Sequence, residues 1–226
     1  MLRTVIYIDG QNLHYQLTNL RLLEKDINWE NVFKDIVGIN RLIRAYWYQA
    51  ARVAPWEWNP RFHTRFCPPG MSQDDFERKA KEYYKNERER LDNLHRQVYT
   101  RIEENFPSVE FRYAGVLKVN PTKWSRDNSG SYRIGSRVGE KGVDVAMAVD
   151  MVRQASDYEV AVIVSGDFDF LPAIQAVKDR LRRVELVSIM KGSPPKHQGQ
   201  ARRLRSLCDV QHHIYETDLK GKYKFP

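Results

Sequence analysis

Short β-rich apolar runs alternate with stretches of helical spacing along the chain. Thr4 to Ile8 is the first run and ends at Asp9 and Gly10. Asn12 to Leu23 then reads as a helix, and Trp29 to Val37 as a second, shorter one. Leu42 to Gln49, Val109 to Leu117 and Val184 to Met190 are strand-like. Val160 to Val164 is apolar without interruption, the pattern of a strand buried on both faces. Helical patterns, Val143 to Ala155 and Phe170 to Arg182, flank that run. Strand alternating with helix predicts an α/β fold around a central, mainly parallel sheet of about five strands.

Two segments depart from the alternation. Ala51 to Met71 carries Pro55, Pro60, Pro68, Pro69 and Gly70 and is long for an irregular connection, which points to a functional loop. Ser72 to Asn105 follows as one long, strongly charged helix, with Ser72 and Asp75 placed as a capping start. Phe76, Ala80, Tyr83, Tyr84, Leu91, Leu94, Val98 and Ile102 recur along it at helical spacing. Such an amphipathic helix can also support a homodimer. The second departure, Lys118 to Gly139, suits a small hairpin pairing Lys118 and Val119 with Ser131 to Ile134 around Asp127 to Gly130.

The 226 residues, 42% hydrophobic, are enough for one domain with a sizeable insertion. The expected layout is a single domain over 1–226, with the irregular loop and long helix at 51–105 and a basic extension at 191–226. No apolar run is long enough to cross a bilayer, and the start runs almost directly into a strand, so no membrane anchor or signal peptide is expected. Cys67 and Cys208 form no disulfide framework and no metal-ligand spacing, as in a reducing cytoplasm. A net charge of +8 favours a polyanionic partner without specifying a fold.

The chemistry lies in the acids. Open α/β sheets bind ligands just beyond the carboxyl ends of their strands. Asp9 follows the first strand, Asp144 starts a helix, and Asp167 and Asp169 crowd the loop after the most apolar strand. Each alone also fits as a helix cap, Asp9 for the helix after it and Asp169 for the helix from Phe170. Gathered together, ionised carboxylates raise one another's pKa unless a cation compensates. All-oxygen ligands prefer magnesium or manganese, and such an ion polarises a phosphoryl oxygen and activates water. Asp150 lies well off the face of Asp144 and reads as a solvated or helix-pairing residue.

At Asp9 to Asn12, Lys141 to Asp144 and Ser165 to Phe170 the chain resembles the NYN domain, a branch of the PIN-like nuclease superfamily that includes LabA-like bacterial proteins. The likeness runs from Leu2 to about Met190. It implies a PIN-like α/β/α sandwich with a central parallel sheet and an acidic, metal-binding pocket used for RNA cleavage in the members that are active. Carried over, Asp9, Asp144, Asp167 and Asp169 are the metal-binding carboxylates. Asn12 and Ser165 are the polar residues beside them, orienting a carboxylate, a water or a phosphate.

An acidic pocket needs cations around it to admit a phosphate backbone. Lys141, Lys191, Lys196, Arg202, Arg203 and Arg133 are the candidates, Lys141 first because it adjoins Asp144. Trp56, Trp58, Arg61, Phe62, His63, Arg65 and Phe66 mix rings and cations in the irregular loop, a mixture that either stacks bases or packs the loop as a satellite cluster. A haloacid-type phosphatase is disfavoured, because the strand runs out at Ser165 and Leu171 holds the later position. A dinucleotide fold is disfavoured by the single glycine after strand one. The remaining rival is a NYN-like module that binds RNA or a protein without cutting.

Overall fold

The computed structural model describes residues 1–192 and 202–225 of the chain. In chain order the elements are β1 Arg3–Asp9, α1 Gly10–Asn19, α2 Trp29–Val37, β2 Arg41–Val53, the short α3 Pro60–His63 and α4 Gln73–Asn93. A π-type stretch, Leu94–Tyr99, leads into α5 Thr100–Asn105, followed by β3 Val109–Arg126, β4 Tyr132–Lys141, α6 Val143–Arg153 and β5 Val160–Val164. The chain continues with α7 Leu171–Lys178, β6 Arg183–Met190, α8 Arg202–Leu207, β7 Val210–Tyr215 and α9 Glu216–Lys220. The strand order is β4-β3-β2-β1-β5-β6-β7. β1 runs parallel to β2 and β5, and β6 runs parallel to β5 and β7, whereas β3 and β4 are antiparallel.

The fold is therefore the expected mainly parallel α/β class, with seven strands rather than about five. β7 was illegible because Gln211, His212 and His213 break any apolar run; main-chain pairing to Glu185–Met190 makes it a strand. Two helices end earlier than periodicity suggests. Arg21 and Leu181 take left-handed backbone, at φ 57° and 59°. The N–H of Leu22 then returns to the carbonyl of Leu17, and that of Arg182 to Val177, closing α1 and α7.

Two compact units are distinguished. The first comprises Met1–Gln49, Tyr99–Ala114 and Val143–Pro226, and the second Ala50–Val98 and Gly115–Gly142. In the first, β1 and β5 are buried almost throughout, each large aliphatic side chain contributing about 1.5–3 kcal/mol. Trp47 meets Trp29 edge-on at 4.9 Å and stacks on Phe111 at 5.1 Å. From β1 the chain moves to β2 on one side, and from β5 to β6 and β7 on the other. The reversal leaves a crevice beyond the carboxyl ends of β1 and β5, where open α/β sheets place their ligands.

In the second unit, the Ser72 hydroxyl accepts the N–H of Asp75 at 3.1 Å and starts α4, as expected. The helix does not run unbroken to Asn105, since the π-type stretch interrupts it. Glu87 ties α4 to β4 through Arg137, at 2.8 Å. Burial pushes the Glu87 carboxyl up, but Arg137 and Arg90 outweigh it and hold the group below its ordinary range. The hairpin turns at Asp127, whose carboxylate accepts the N–H groups of Ser129 and Ser131. Its register differs from expectation: Ile134 pairs with Trp124 and Lys118 with Gly139, because β4 extends to Lys141.

One ion pair clips the entry of β1 to β5. Glu159 accepts the Arg3 N–H at 2.7 Å and the guanidinium at 2.6 Å. The Arg3 hydrogen bonds hold the Glu159 carboxyl at about 2, below the ordinary 4.5. A carboxyl depressed by folding stabilises fully above its unfolded value and loses that contribution as pH falls through its folded one. The urea midpoint of Glu159→Gln is therefore expected below that of the parent at pH 7. The gap closes as pH is lowered from 4.5 toward 2, as paired unfolding curves will register.

Candidate active site

The site begins with parallel pairing. Ile8 of β1 stands opposite Val164 of β5, so the residues that follow them, Asp9 and Ser165, emerge side by side. Asp9 is 5% exposed. One of its carboxylate oxygens accepts the Asn12 N–H at 3.0 Å, capping α1, and the other accepts the Ser165 hydroxyl at 2.8 Å. Ser165 in turn accepts the Asp167 N–H at 3.1 Å. Asn12 uses its side-chain carbonyl to accept the Gly166 N–H at 3.1 Å and also the Gln16 amide. Two cross-ties thus join the start of α1 to the loop after β5. Gly10 lets the start of α1 sit close against β2: a Cβ there would lie 2.2 Å from the Gln49 amide nitrogen and 2.5 Å from the Tyr48 carbonyl.

Burial pushes the Asp9 carboxyl up to about 6, against the pull of the Asn12 N–H and the Ser165 hydroxyl. The charges of Asp144 and Asp167 push it further in the same direction. Three carboxylates from distant parts of the chain therefore share one electrostatic neighbourhood. Asp144 lies in the first turn of α6 and is partly buried. Asp167 caps the turn Phe168–Phe170 by accepting the Asp169 N–H at 3.0 Å. Asp169 itself is exposed. It caps nothing, because α7 starts from Phe170 without a side-chain cap; Asp167 performs the capping expected of Asp169. Among the described residues, no three of His, Cys, Asp and Glu form a ready-made metal cage.

Asp150 pairs within its helix as expected, accepting from the Arg153 guanidinium at 2.8 Å, but it is partly buried and has a second partner. Tyr48, level with Asp9 across the β1–β2 pairing, donates its hydroxyl to Asp150 of α6 at 2.8 Å, so Asp150 anchors the helix that carries Asp144. Gln16 and the Tyr48–Asp150 bond were not anticipated. The signal available for Gln16 was its spacing of one helical turn from Asn12.

Of the basic candidates, Lys191 is exposed at the end of β6, the carboxyl edge of the parallel strands. It lines a hollow of about 290 Å³ with Gln16, Asn19, Leu20 and Ile189. Arg133 and Lys141 are exposed on β4 in the second unit. Lys196 and the side chains of Arg202 and Arg203 lie outside the described residues.

A mainly parallel sheet with acids at its topological switch point defines an α/β protein whose ligand site is expected beyond the carboxyl ends of its strands. The NYN domain model matches residues 70–216, well over half of the chain, and the chain belongs to the NYN domain family. The match takes in Asp144, Asp167, Asp169 and β7, starts after Asp9, and reaches past Met190 where the motif likeness stopped. The fold is also similar to the crystal structure of VPA0982, a protein of unknown function from Vibrio parahaemolyticus. That likeness has a TM-score of 0.51 at 16% identity over 94% of this chain and 93% of the other. No curated protein matches the chain. NYN domains are PIN-like and generally nuclease-like. No helix among the described residues is long and apolar enough to cross a membrane.

Replacing Ser165 tests the cross-tie. Ser165→Ala leaves one oxygen of a buried carboxylate without its donor and frees the Asp167 N–H. The expected loss is about 1–3 kcal/mol of unfolding free energy at pH 7, read from urea titration.

Proposed function

We propose that the crevice between β1 and β5 is a metal-dependent ribonuclease site that hydrolyses RNA phosphodiester bonds. The observation that carries this reading is the buried carboxylate of Asp9, whose strongest charged neighbours are two more carboxylates, Asp144 and Asp167. Folding has gathered negative charge where burial already opposes it, an arrangement that a divalent cation relieves.

The residues fit such an ion in donor chemistry. They offer oxygen alone, which suits magnesium or manganese. Magnesium characteristically keeps several waters and takes only one or two carboxylates directly, so a ready-made cage of three is not required. Asp9, Asp144 and Asp167 would hold the ion, with Asp169 at the open rim. When bound, the ion supplies charge neutralisation at the phosphate and lowers the pKa of an attacking water.

The chain's own residues do the rest. Ser165 and the Asn12 N–H fix both oxygens of Asp9, which keeps that carboxylate in one orientation. Asn12 holds the Gly166 backbone and with it the loop bearing Asp167. Lys191 is exposed at the same sheet edge, where it can meet a phosphate. A phosphate strand approaching an acidic crevice needs such cations.

The test is cleavage of 5′-labelled single-stranded and structured RNA in millimolar manganese. Asp9→Asn and Asp167→Asn are expected to lower the rate about 100-fold or more, with the circular dichroism spectrum unchanged. EDTA is expected to abolish cleavage in the parent protein. A parent that binds RNA and leaves it intact with manganese present would instead establish a binding module.

A further inference from the structure

We infer that the second unit carries a separate cleft that binds unpaired bases of single-stranded RNA by stacking. The inference rests on the ribonuclease reading for the identity of the strand, while the cleft itself lies wholly in the second unit.

Its floor is an irregularity in β3. Asn120 pairs with Ser136 and Trp124 with Ile134, so three residues, Pro121 to Lys123, face the single Gly135. The Asn120 side-chain carbonyl accepts the N–H groups of Thr122 and Lys123 and the Thr122 hydroxyl, at 3.2, 3.1 and 3.0 Å. The bulge is thereby locked by its own hydrogen bonds. Pro121 and Thr122 are buried, whereas Lys123 and Trp124 are exposed. Bulges re-aim side chains in this way and recur beside functional sites.

The cleft measures about 670 Å³, within the roughly 300–1,000 Å³ of small-ligand pockets. Rings of Trp56, Phe62, His63, Phe66 and Trp124 line it. Two roles divide the aromatic residues of the irregular loop and the bulge. Trp58 packs edge-on against the fully buried Phe76, at 5.6 Å, and serves the local core. Phe62, Phe66 and Trp124 remain 47%, 39% and 37% exposed, so each keeps ring surface open to solvent. Trp124 is nonetheless fixed, its indole N–H donating to the Phe66 carbonyl at 2.8 Å. A rigid, exposed ring is what a base stacks on at low entropic cost. Arg65 lies over Phe62 and Phe66, 3.9 and 4.8 Å from the ring centroids, and sets a positive charge beside these rings.

Charge selects the occupant. The second unit holds sixteen Lys and Arg against ten Asp and Glu, which accounts for six of the chain's eight net positive charges. Lys118 and Lys123 line the cleft, and no Asp or Glu does. Apolar rings framed by cations match an extended polyanion whose bases are unpaired. They do not match a duplex, whose bases are already stacked on one another.

The experiment is fluorescence anisotropy of a labelled 12-nucleotide single-stranded RNA in EDTA, so that no cleavage intrudes. A fully paired hairpin serves as competitor. The parent is expected to prefer the single strand at least about tenfold. Trp124→Ala and the pair Phe62→Ala with Phe66→Ala are each expected to weaken binding about tenfold or more. Trp124→Phe, which keeps a ring without the indole hydrogen bond, retains most of the affinity and controls for folding. Lys123→Ala lowers the salt dependence by about one phosphate contact.

Equal affinity for strand and hairpin, or unchanged binding in the ring variants, overturns the inference. So does a parent that binds no single strand, which would leave a protein as the occupant. The two readings separate cleanly. Manganese-dependent cleavage with ring-independent binding sinks the cleft alone, and ring-dependent binding without cleavage sinks the nuclease site alone.

Discussion

The arrangement at the switch point depends on one hydrogen bond, from the Ser165 hydroxyl to the Asp9 carboxylate. A carboxylate 5% exposed is costly to keep charged, and burial pushes its pKa up to about 6. The bond to Ser165 and the Asn12 N–H offset part of that cost and fix the group's orientation. Because Ser165 also receives the Asp167 N–H, the same hydroxyl sets the path of the loop that carries the next acid. Asp9 caps α1 and Asp167 caps the turn before α7, and the charge of Asp167 also acts on Asp9.

Legibility in the sequence followed burial. Val160–Val164 and Trp29–Val37 were read to the residue because each is bounded by polar or turn residues and faces the core. The ends of α1 and α7 were not, because Arg21 and Leu181 adopt left-handed backbone without the glycine that normally announces it. The placement of Asp9, Asp144 and Asp167 in one neighbourhood was anticipated from their positions at strand and helix ends, and the charges acting on Asp9 agree with it. The roles of Tyr48 and Gln16 were hidden, since each depends on a partner in three dimensions, Asp150 and Asn12, rather than on a local pattern.

The segment between β2 and α6 departs most from a plain strand–helix alternation, and polar contacts join its elements beside the buried Phe76, Ala80 and Leu91. Glu87 and Arg137 join α4 to β4, and Tyr83 lies over Gly135, where a Cβ would come within 2.2 Å of the ring. With φ at +91° as well, Gly135 is confined to glycine on both counts. Its small size lets the helix approach the hairpin directly across from the bulge that exposes Trp124.

The partners of the Asp9–Ser165 bond are separated by 156 positions. A chain still emerging from the ribosome exposes Asp9 well before Ser165 has been made. Until β5 is made, β1 lacks one neighbour, and the acids after it have neither their anchor nor each other. Assembly of the crevice therefore waits on the closing of a long-range parallel pair rather than on any local turn. A chain that stops before β5 carries Asp9 without its Ser165 donor.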